Sequence, residues 1–586
     1  MTRALRLLLC VCAVVNAIAG EDVEWWQNGP IYQVYPATFA DSNGDGWGDI
    51  KGILEHADYF KDIGVGAVWL SPIFASPMQD NGYDVANYTD VNPIFGTKQD
   101  VKDLIDKLHS LGIKFMLDFV PNHSSDQHVW FKNSVNRVPG YENFYVWRNK
   151  SSSKMDNGKA IPLEPNNWRS LFTPSAWTWN DQRGQFYLHQ FGAFQPDLNY
   201  DEPLVVEAMK NVMRFWLDMG VDGLRVDATP YLIETHYDLN QPDFPGCVPK
   251  GPLDYYECQQ HLYTRDQPKL YDIMAEFAKV LDEYKNNGTR YQFIEAYAAL
   301  NFTMMYYMNS TSPFNFNILS YLNQNSNASV AKYAVDLWMN NMPKGRWANW
   351  VTGNHDNARV ATRFGEDMVD AINTMSILLP GTPITYMGEE IGMSNSLIPE
   401  DLRRDKTDFN RDPERAPMQW NASLNAGFSS NPRPYLPVAS NYWRVNVEAE
   451  KSTEKSHLGV YKKLVSLHKD LVAKGAEDFQ TYVITPWVFA FTRPNHLILI
   501  NFNNLEEEFT LSGFKLPNGK EIPSKLFAKI PSINSEYSEM FEIDTKNNIT
   551  MRPRSSVVLS VSGGSVVFKS SAILIFATFA VTFFKF

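Results

Sequence analysis

Four carboxyl groups stand where short apolar runs end: Asp118 in "KFMLDFV", Asp227 in "DGLRVDA", Glu295 in "QFIEAY" and Asp356 in "ANWVTGNHD". One carboxylate in such a place is ordinarily a loop cap or the partner of a nearby cation; several at equivalent run ends point instead to a cluster built for charge and proton chemistry. Arg225 lies two residues before Asp227, on the same face if the run is a strand, where its guanidinium can keep that carboxylate ionised. A second chemistry is written in "DSNGDGWGD" at residues 41–49. Oxygen-bearing residues alternate there, and Gly46 is sixth from Asp41, the spacing of a hard-cation loop. The twelfth position, where an EF-hand needs a bidentate Glu, is Gly52, and the loop follows the strand-like "IYQVYP". It reads as a candidate cation loop that is not an EF-hand.

These groups need a scaffold that brings them together. From residue 31 onward, eight strand-like runs, "IYQVY", "AVWLSPI", "KFMLDFV", "DGLRVDA", "QFIEAY", "PFNFNIL", "ANWVTGNHD" and "ITYMGEE", alternate with helical patterns such as "DVKDLIDKLHSLG" and "LVVEAMKNVMRFWLDMG". That alternation predicts an α/β fold, a (β/α)8 TIM barrel, whose strand ends form one mouth where the four carboxylates would converge. Residues 124–196, rich in Asn, Ser, Trp and Gly, break the rhythm and predict an inserted domain after strand 3. Alternating apolar positions in "HLILINF" and "SSVVLSVS" predict a C-terminal antiparallel β-domain, sandwich-like, over 481–562. The barrel itself is expected over 20–123 and 197–480.

The ends of the sequence carry signals. Arg3, Arg6, the apolar stretch from Leu7 to Val15 and the small residues Ala17 and Ala19 predict a signal peptide over 1–19. Ser562-Gly563-Gly564, a short spacer and the apolar run from Ala572 to Phe584 predict a GPI-attachment signal over 563–586, placing the mature chain on the outer face of the plasma membrane. A net charge of -13 argues against nucleic acid as a partner. Of four cysteines, Cys10 and Cys12 leave with the signal peptide, so Cys247 and Cys258 are expected to form a disulfide in an oxidising compartment. Sequons at Asn149, Asn287 and Asn301 fit an extracellular chain.

The ordered set "DFVPNH", "QPDLNY", "GLRVDA", "FIEAY" and "GNHD" resembles the motifs of the α-amylase superfamily, glycoside hydrolase family 13. "NGYDVANY" and the "APMQW" after Arg415 are similar to its α-glucosidase and oligo-1,6-glucosidase branch, which includes GPI-anchored midgut maltases of insects such as mosquitoes. The resemblance covers nearly the whole chain between the end signals. It implies a retaining, exo-acting α-glucosidase that releases terminal α-1,4-linked glucose from maltose and short oligosaccharides, with sucrose a further candidate, and that needs no organic cofactor. Asp227 would be the nucleophile, Glu295 the general acid/base and Asp356 the third carboxylate, holding sugar hydroxyls. His123 and His355 would bind hydroxyls of the same glucose; Asp84 and Arg415 would grip its non-reducing end, with Tyr83 stacking on the ring. Asp118 would support the mouth through Arg225. Ala228 resembles the α-1,4-preferring pattern, and Leu224 replaces a common family Phe. The resemblance also implies one structural Ca²⁺ held by Asp41, Asn43, Asp45 and Asp49 with the Trp47 carbonyl. Two other readings share the scaffold: a non-enzymatic binding protein, like the heavy chains of amino-acid transporters, and a docking receptor for a bacterial binary toxin, as anchored mosquito maltases can be.

Overall fold

The structure is a computed structural model that describes residues 23–561, apart from 408, 476–477, 517–518 and 520. The expected signal peptide and GPI signal lie outside the described residues. Eight short parallel strands form the central sheet: β1 (Ile31–Val34), β2 (Ala67–Leu70), β3 (Lys114–Phe119), β4 (Gly223–Val226), β5 (Tyr291–Ile294), β6 (Thr311–Pro313), β7 (Asn349–Val351) and β8 (Thr382–Tyr386). Their order is β6-β5-β4-β3-β2-β1-β8-β7, that of a (β/α)8 barrel opened between β6 and β7. Side-chain and backbone bonds cross that seam. The Asn349 amide donates to the Pro313 carbonyl at 2.8 Å, its oxygen accepts from Asn315 N at 2.8 Å, and Val351 N donates to Asn315 O at 3.3 Å.

One strand differs from expectation. The sixth lies just before most of the run "PFNFNIL", and Asn317–Tyr321 is helical. Asn315 Oδ1 accepts from Asn317 N at 3.0 Å, which turns the chain, and Phe314, Phe316 and Leu319 then fill the barrel interior.

The two-residue period of the strands decides what faces inward. Ile31, Ala67, Trp69, Met116, Tyr291, Phe293, Val351 and Ile384 form one interior cluster, while Tyr32, Val34, Val68, Leu70, Leu117, Leu224 and Val226 pack outward with the helices. Along β3, β4 and β5 the inward columns continue from Met116 to Asp118, from Gly223 to Arg225 and Asp227, and from Phe293 to Glu295. The register pairs Arg225 with Asp118 on one side and with Phe293 on the other. Gly223 has to be glycine, because a Cβ there would lie 2.8 Å from the Tyr291 carbonyl oxygen and 3.1 Å from Met116.

Helices cover the barrel as their sequence pattern dictates. Lys98–Ser110 starts at a capping box between Thr97 and Asp100 and buries Val101, Leu104, Ile105 and Leu108 at helical spacing. Pro203–Asp218 begins with proline in its first turn and buries Val205, Met209, Val212, Met213 and Trp216. No helix of the described residues is long and apolar enough to cross a membrane.

The segment after β3 leaves and returns at one place, where His123 and Asp197 pair as an antiparallel bridge. Between them a three-stranded sheet, Trp147–Arg148, Gln185–Leu188 and Trp177–Asn180, covers a small core of Val146, Trp168, Trp177, Phe186 and Leu188. Towards the C-terminus a six-stranded antiparallel sheet runs from Gln480–Val483 to Ser556–Ser560 in chain order. Alternation again sorts its faces: Phe489, Phe491, Ile498 and Ile500 join the main core, while Val488, Ala490, Leu497 and Leu499 join a separate cluster. Cys247 and Cys258 are disulfide-bonded, with Cα atoms 5.4 Å apart.

Candidate active site

The inward columns of β3, β4 and β5 end in a buried ion cluster around one guanidinium. Arg225 Nη1 donates to Asp118 Oδ1 at 3.1 Å and to Asp227 Oδ1, and Nη2 lies 3.0 Å from Glu295 Oε1. Asp118, Arg225 and Asp227 are all buried. Ala228, directly after Asp227, takes a left-handed conformation with φ 48°, which a non-glycine residue rarely adopts. That turn aims its N–H at Glu295 Oε2, 2.8 Å away. The peptide after one carboxylate thus holds the other, a link that no sequence signal announced.

Burial pushes Asp118 up to about 6, with Arg225 opposing. Asp227 is also raised, by burial and by the neighbouring Glu295 and Asp118 carboxylates, against the pull of Arg225. One guanidinium among three carboxyls leaves the cluster an excess of negative charge when all are ionised, which makes it costly to ionise all three together.

A hydrogen-bond chain runs beside this cluster. Gln33 Nε2 donates to His355 Nδ1 at 2.8 Å, so His355 carries its proton on Nε2 and offers it to the Tyr83 hydroxyl at 2.6 Å; Tyr83 in turn donates to Asp118 Oδ2 at 2.8 Å. The Tyr83 and His355 rings are parallel, with centroids 5.4 Å apart. Burial holds His355 well below the ordinary histidine range and His123 down at about 3, so both rings are neutral. Burial alone would raise Asp356, but the His355 ring, whose Nε2 lies 3.3 Å from Oδ2, and the guanidinium groups of Arg411 and Arg415 hold it far below the usual carboxylate range.

A cavity of about 530 Å³ collects Tyr83, His123, Asp227, Glu295, His355 and Asp356 on its walls, with Phe172 and Phe191 from the inserted segment. Three expected residues are not among them: Arg225, expected among the substrate-binding residues and here bound to Asp118, Asp227 and Glu295, together with Asp84 and Arg415. Asp84 is fully buried in its own loop, where it accepts from Ser76 Oγ at 2.9 Å and from the backbone N–H groups of Gln79 and Asp80 at 3.0 Å. The turn through Asn81 (φ 50°) and Gly82 (φ 103°) directs it there, and Asp80 occupies the cavity wall instead. Arg415 is likewise buried behind Asp356, donating to its Oδ1 at 2.8 Å and to the His355 carbonyl at 2.7 Å. Arg411 lines the cavity: it reaches Asp80 Oδ1 at 2.8 Å, Asp356 Oδ1 at 3.2 Å and Asp405 Oδ2 at 2.8 Å. In both cases the sequence offers two like residues four apart, and only the loop path separates them. Gln195, at the end of the inserted segment, is a further contributor, donating to Asp80 Oδ2 at 2.9 Å and lying 3.1 Å from His123 Nε2.

The loop after β1 is a series of tight turns. Asp41 Oδ1 accepts from the N–H groups of Asn43 and Gly44, Asn43 Oδ1 from Asp45, and Asp45 Oδ1 from Trp47. Asp49 caps the next helix through Gly52 N and also accepts from Ser42. Among the described residues no group of three or more His, Cys, Asp or Glu side chains is gathered as a metal site.

Comparison with known proteins adds the lineage. Residues 33–475 match the model of the α-amylase catalytic domain. The chain is 43% identical to an α-glucosidase of Apis mellifera over 522 residues, 86% of this chain and 89% of that protein. It is 41% identical to Maltase A2 of Drosophila melanogaster, covering 92% and 95%. The amino acid transporter heavy chain SLC3A1 of Homo sapiens is 39% identical over 79% of this chain and 67% of its own length. Among solved structures, the α-glucosyl transfer enzyme XgtA superposes with a TM-score of 0.79 at 30% identity, covering 92% of this chain and all of that one. With the barrel, its inserted segment and the carboxylate cluster at its mouth, these matches carry one conclusion: the chain belongs to the α-amylase catalytic-domain family.

Proposed function

We propose that this protein is an exo-acting α-glucosidase of the maltase type, which hydrolyses the terminal α-1,4-linked glucose of maltose and short oligosaccharides with retention of configuration. The observation that carries the exo reading is the Asp80–Arg411 ion pair, which stands in the cavity wall with Tyr83 and His123. In this reading the pair ends the cavity, so a terminal glucose fits there and a longer chain has no path past it. Support for a double displacement comes from Asp227 and Glu295 binding the two terminal nitrogens of one guanidinium, which draws the carboxyls together as a retaining pair at about 5–5.5 Å requires.

In the first step Asp227 attacks the anomeric carbon while Glu295 gives its proton to the departing glycosidic oxygen. In the second, Glu295 takes a proton from water, whose oxygen displaces Asp227 and restores both carboxyls. Asp356, kept anionic by Arg411 and Arg415, suits the hydroxyls and positive charge of the distorted sugar, with neutral His123 and His355 as hydrogen-bonding partners. Transfer to a sugar in place of water uses the same residues. Hydrolysis of maltose but not of a cyclic α-glucan, which has no end to insert, is the expected result; equal cleavage of both would overturn the exo reading. The intact carboxylate set disfavours the purely binding role.

Three further features belong to this proposal. Asp41, Asn43, Asp45, Asp49 and the Trp47 carbonyl are hard oxygen donors within one tight loop and suit a structural Ca²⁺. The composition of 563–586 suits a GPI lipid at the outer cell surface, which phosphatidylinositol-specific phospholipase C would release. Docking of a bacterial binary toxin is tested by labelled toxin on cells displaying the protein.

A further inference from the structure

Three loops of the barrel mouth meet at one side chain that lies outside the catalytic cavity. Tyr435, on the segment after β8, is buried; its N–H donates to the Gly46 carbonyl at 2.7 Å, and its own carbonyl accepts from Arg404 Nε at 3.0 Å. Its ring packs on Trp47, with centroids 4.0 Å apart. The backbones approach closely here: at Gly46, where φ is 99°, a Cβ would lie 2.7 Å from the Arg433 carbonyl oxygen. Tyr435 is thus fixed between the loop after β1 and its own segment, which leaves its hydroxyl to act elsewhere. That hydroxyl donates to Asn81 Oδ1, in the loop after β2, at 2.7 Å.

Asn81 is at the apex of a turn whose two ends stand on the cavity wall. Tyr83 N donates to the Asp80 carbonyl at 3.0 Å, and both residues between them have positive φ, 50° at Asn81 and 103° at Gly82. That is the signature of a type I′ turn, for which Asn-Gly is a favoured pair. Asp80 and Tyr83 line the cavity, whereas Asn81 and Tyr435 do not. The two ends are held differently. Tyr83 is anchored beyond the turn, because its hydroxyl meets Asp118 and His355. Asp80 has a short side chain and relies on the backbone of the turn to bring its carboxylate within 2.8 Å of Arg411 Nη2. Asn81 is buried and its amide nitrogen has no hydrogen-bond partner among the described residues, so the bond from Tyr435 is what orients its side chain.

We infer that Tyr435 is a positioning residue: through Asn81 it pins the turn that sets Asp80 opposite Arg411, and so ties that wall of the cavity to the loop at residues 41–49. The inference rests on the glucosidase reading and deepens it by naming a residue outside the cavity that governs how the terminal glucose is held.

The test measures kcat/KM for maltose in the wild type, in Tyr435→Phe and Asn81→Gly, and in Tyr435→Phe combined with Asp80→Asn. Phenylalanine keeps the ring on Trp47 and glycine keeps the positive φ that the turn needs, so each change removes one end of the bond. The other end is then left buried and unpaired, which should lower kcat/KM about fivefold or more in each single variant. In the Asp80→Asn protein, Tyr435→Phe should cost less than about twofold more, because the carboxylate it positions is gone, whereas a merely structural tyrosine would cost the same factor in both backgrounds. Losses below about twofold in both single variants, or losses that multiply in the combined variant, overturn the inference. Crystal structures of Tyr435→Phe and Asn81→Gly separate it from the reading beneath it. If the wild type leaves maltose intact, the glucosidase reading fails, and the positioning role is judged on the 2.8 Å contact between Asp80 and Arg411 alone. A contact broken in either variant supports that role, and one kept in both sinks it.

Discussion

Asp80→Asn is the most informative single change at the Asp80–Arg411 wall of the cavity, with Asp84→Asn as its control. The Asp80 carboxylate accepts from Arg411 Nη2 at 2.8 Å and from Gln195 Nε2 at 2.9 Å. The amide keeps the shape but has one acceptor oxygen, so its NH₂ must face one of those two donors. A hydrogen bond to a charged group is worth about 1.5–3 kcal/mol. At about 1.36 kcal/mol per factor of ten, its loss lowers kcat/KM roughly 10- to 150-fold, provided the same contacts hold the terminal glucose in the transition state. The fold should survive, because Arg411 keeps Asp405 and Asp356 and because burial already raises Asp80 towards its neutral form. Asp84→Asn instead loosens a loop bonded through Ser76, Gln79 and Asp80, so its cost falls mainly on Tm. Initial rates on p-nitrophenyl α-glucoside, read beside thermal unfolding, separate the two effects. A larger loss of kcat/KM in Asp84→Asn than in Asp80→Asn, at unchanged Tm, would refute the assignment.

The remaining predictions concern stability. Replacing Cys247 and Cys258 with serine removes a cross-link between residues 11 apart; at most ~3 kcal/mol should be lost, and the KM for maltose should rise because Tyr256 and Glu257 line the cavity beside Cys258. Unchanged Tm and KM would show that the cross-link positions nothing. Burial alone would lower His457, but the Asp370 carboxylate, 2.7 Å from its Nδ1, raises it overall. Since the folded value exceeds the unfolded one, the stability it gives is complete below about pH 6.5 and lost as pH rises through the folded value. Wild-type Tm should therefore fall more than that of His457→Gln between pH 6 and pH 8; parallel curves would contradict the ion pair. Chelation should lower Tm, with recovery on adding Ca²⁺ and one calcium per chain by elemental analysis. No bound metal and an unmoved Tm would remove calcium from the account.

Much of the fold was legible because the patterns are periodic. Alternation placed Arg225 and Asp227 on one strand face before any geometry was known, and helical spacing marked the stretches that form Lys98–Ser110 and Pro203–Asp218. The sixth strand was displaced because "PFNFNIL" carries the apolar residues of both a strand end and a buried helix, which periodicity alone does not separate. Asp84 and Arg415, expected to grip the sugar's non-reducing end, lie off the cavity wall, where Asp80 and Arg411, each four residues earlier, stand instead. There the deciding factor is the left-handed turn at Asn81 and Gly82, or which arginine reaches the cavity rather than its wall, and such loop geometry has no periodic signature. Gln195 and the Ala228 N–H were missed for a related reason: each acts through a backbone path that brings distant segments together.

The central claim is that Asp227 and Glu295 form a retaining pair acting on a terminal glucose. Proton NMR of maltose with the purified protein, followed from the first minutes beside Asp227→Asn and Glu295→Gln, tests it most directly. The account predicts that α-glucose from the non-reducing unit appears before mutarotation and that both variants, folded as the wild type, lose the activity. β-Glucose as the first product of that unit, or undiminished hydrolysis in Asp227→Asn, would contradict it.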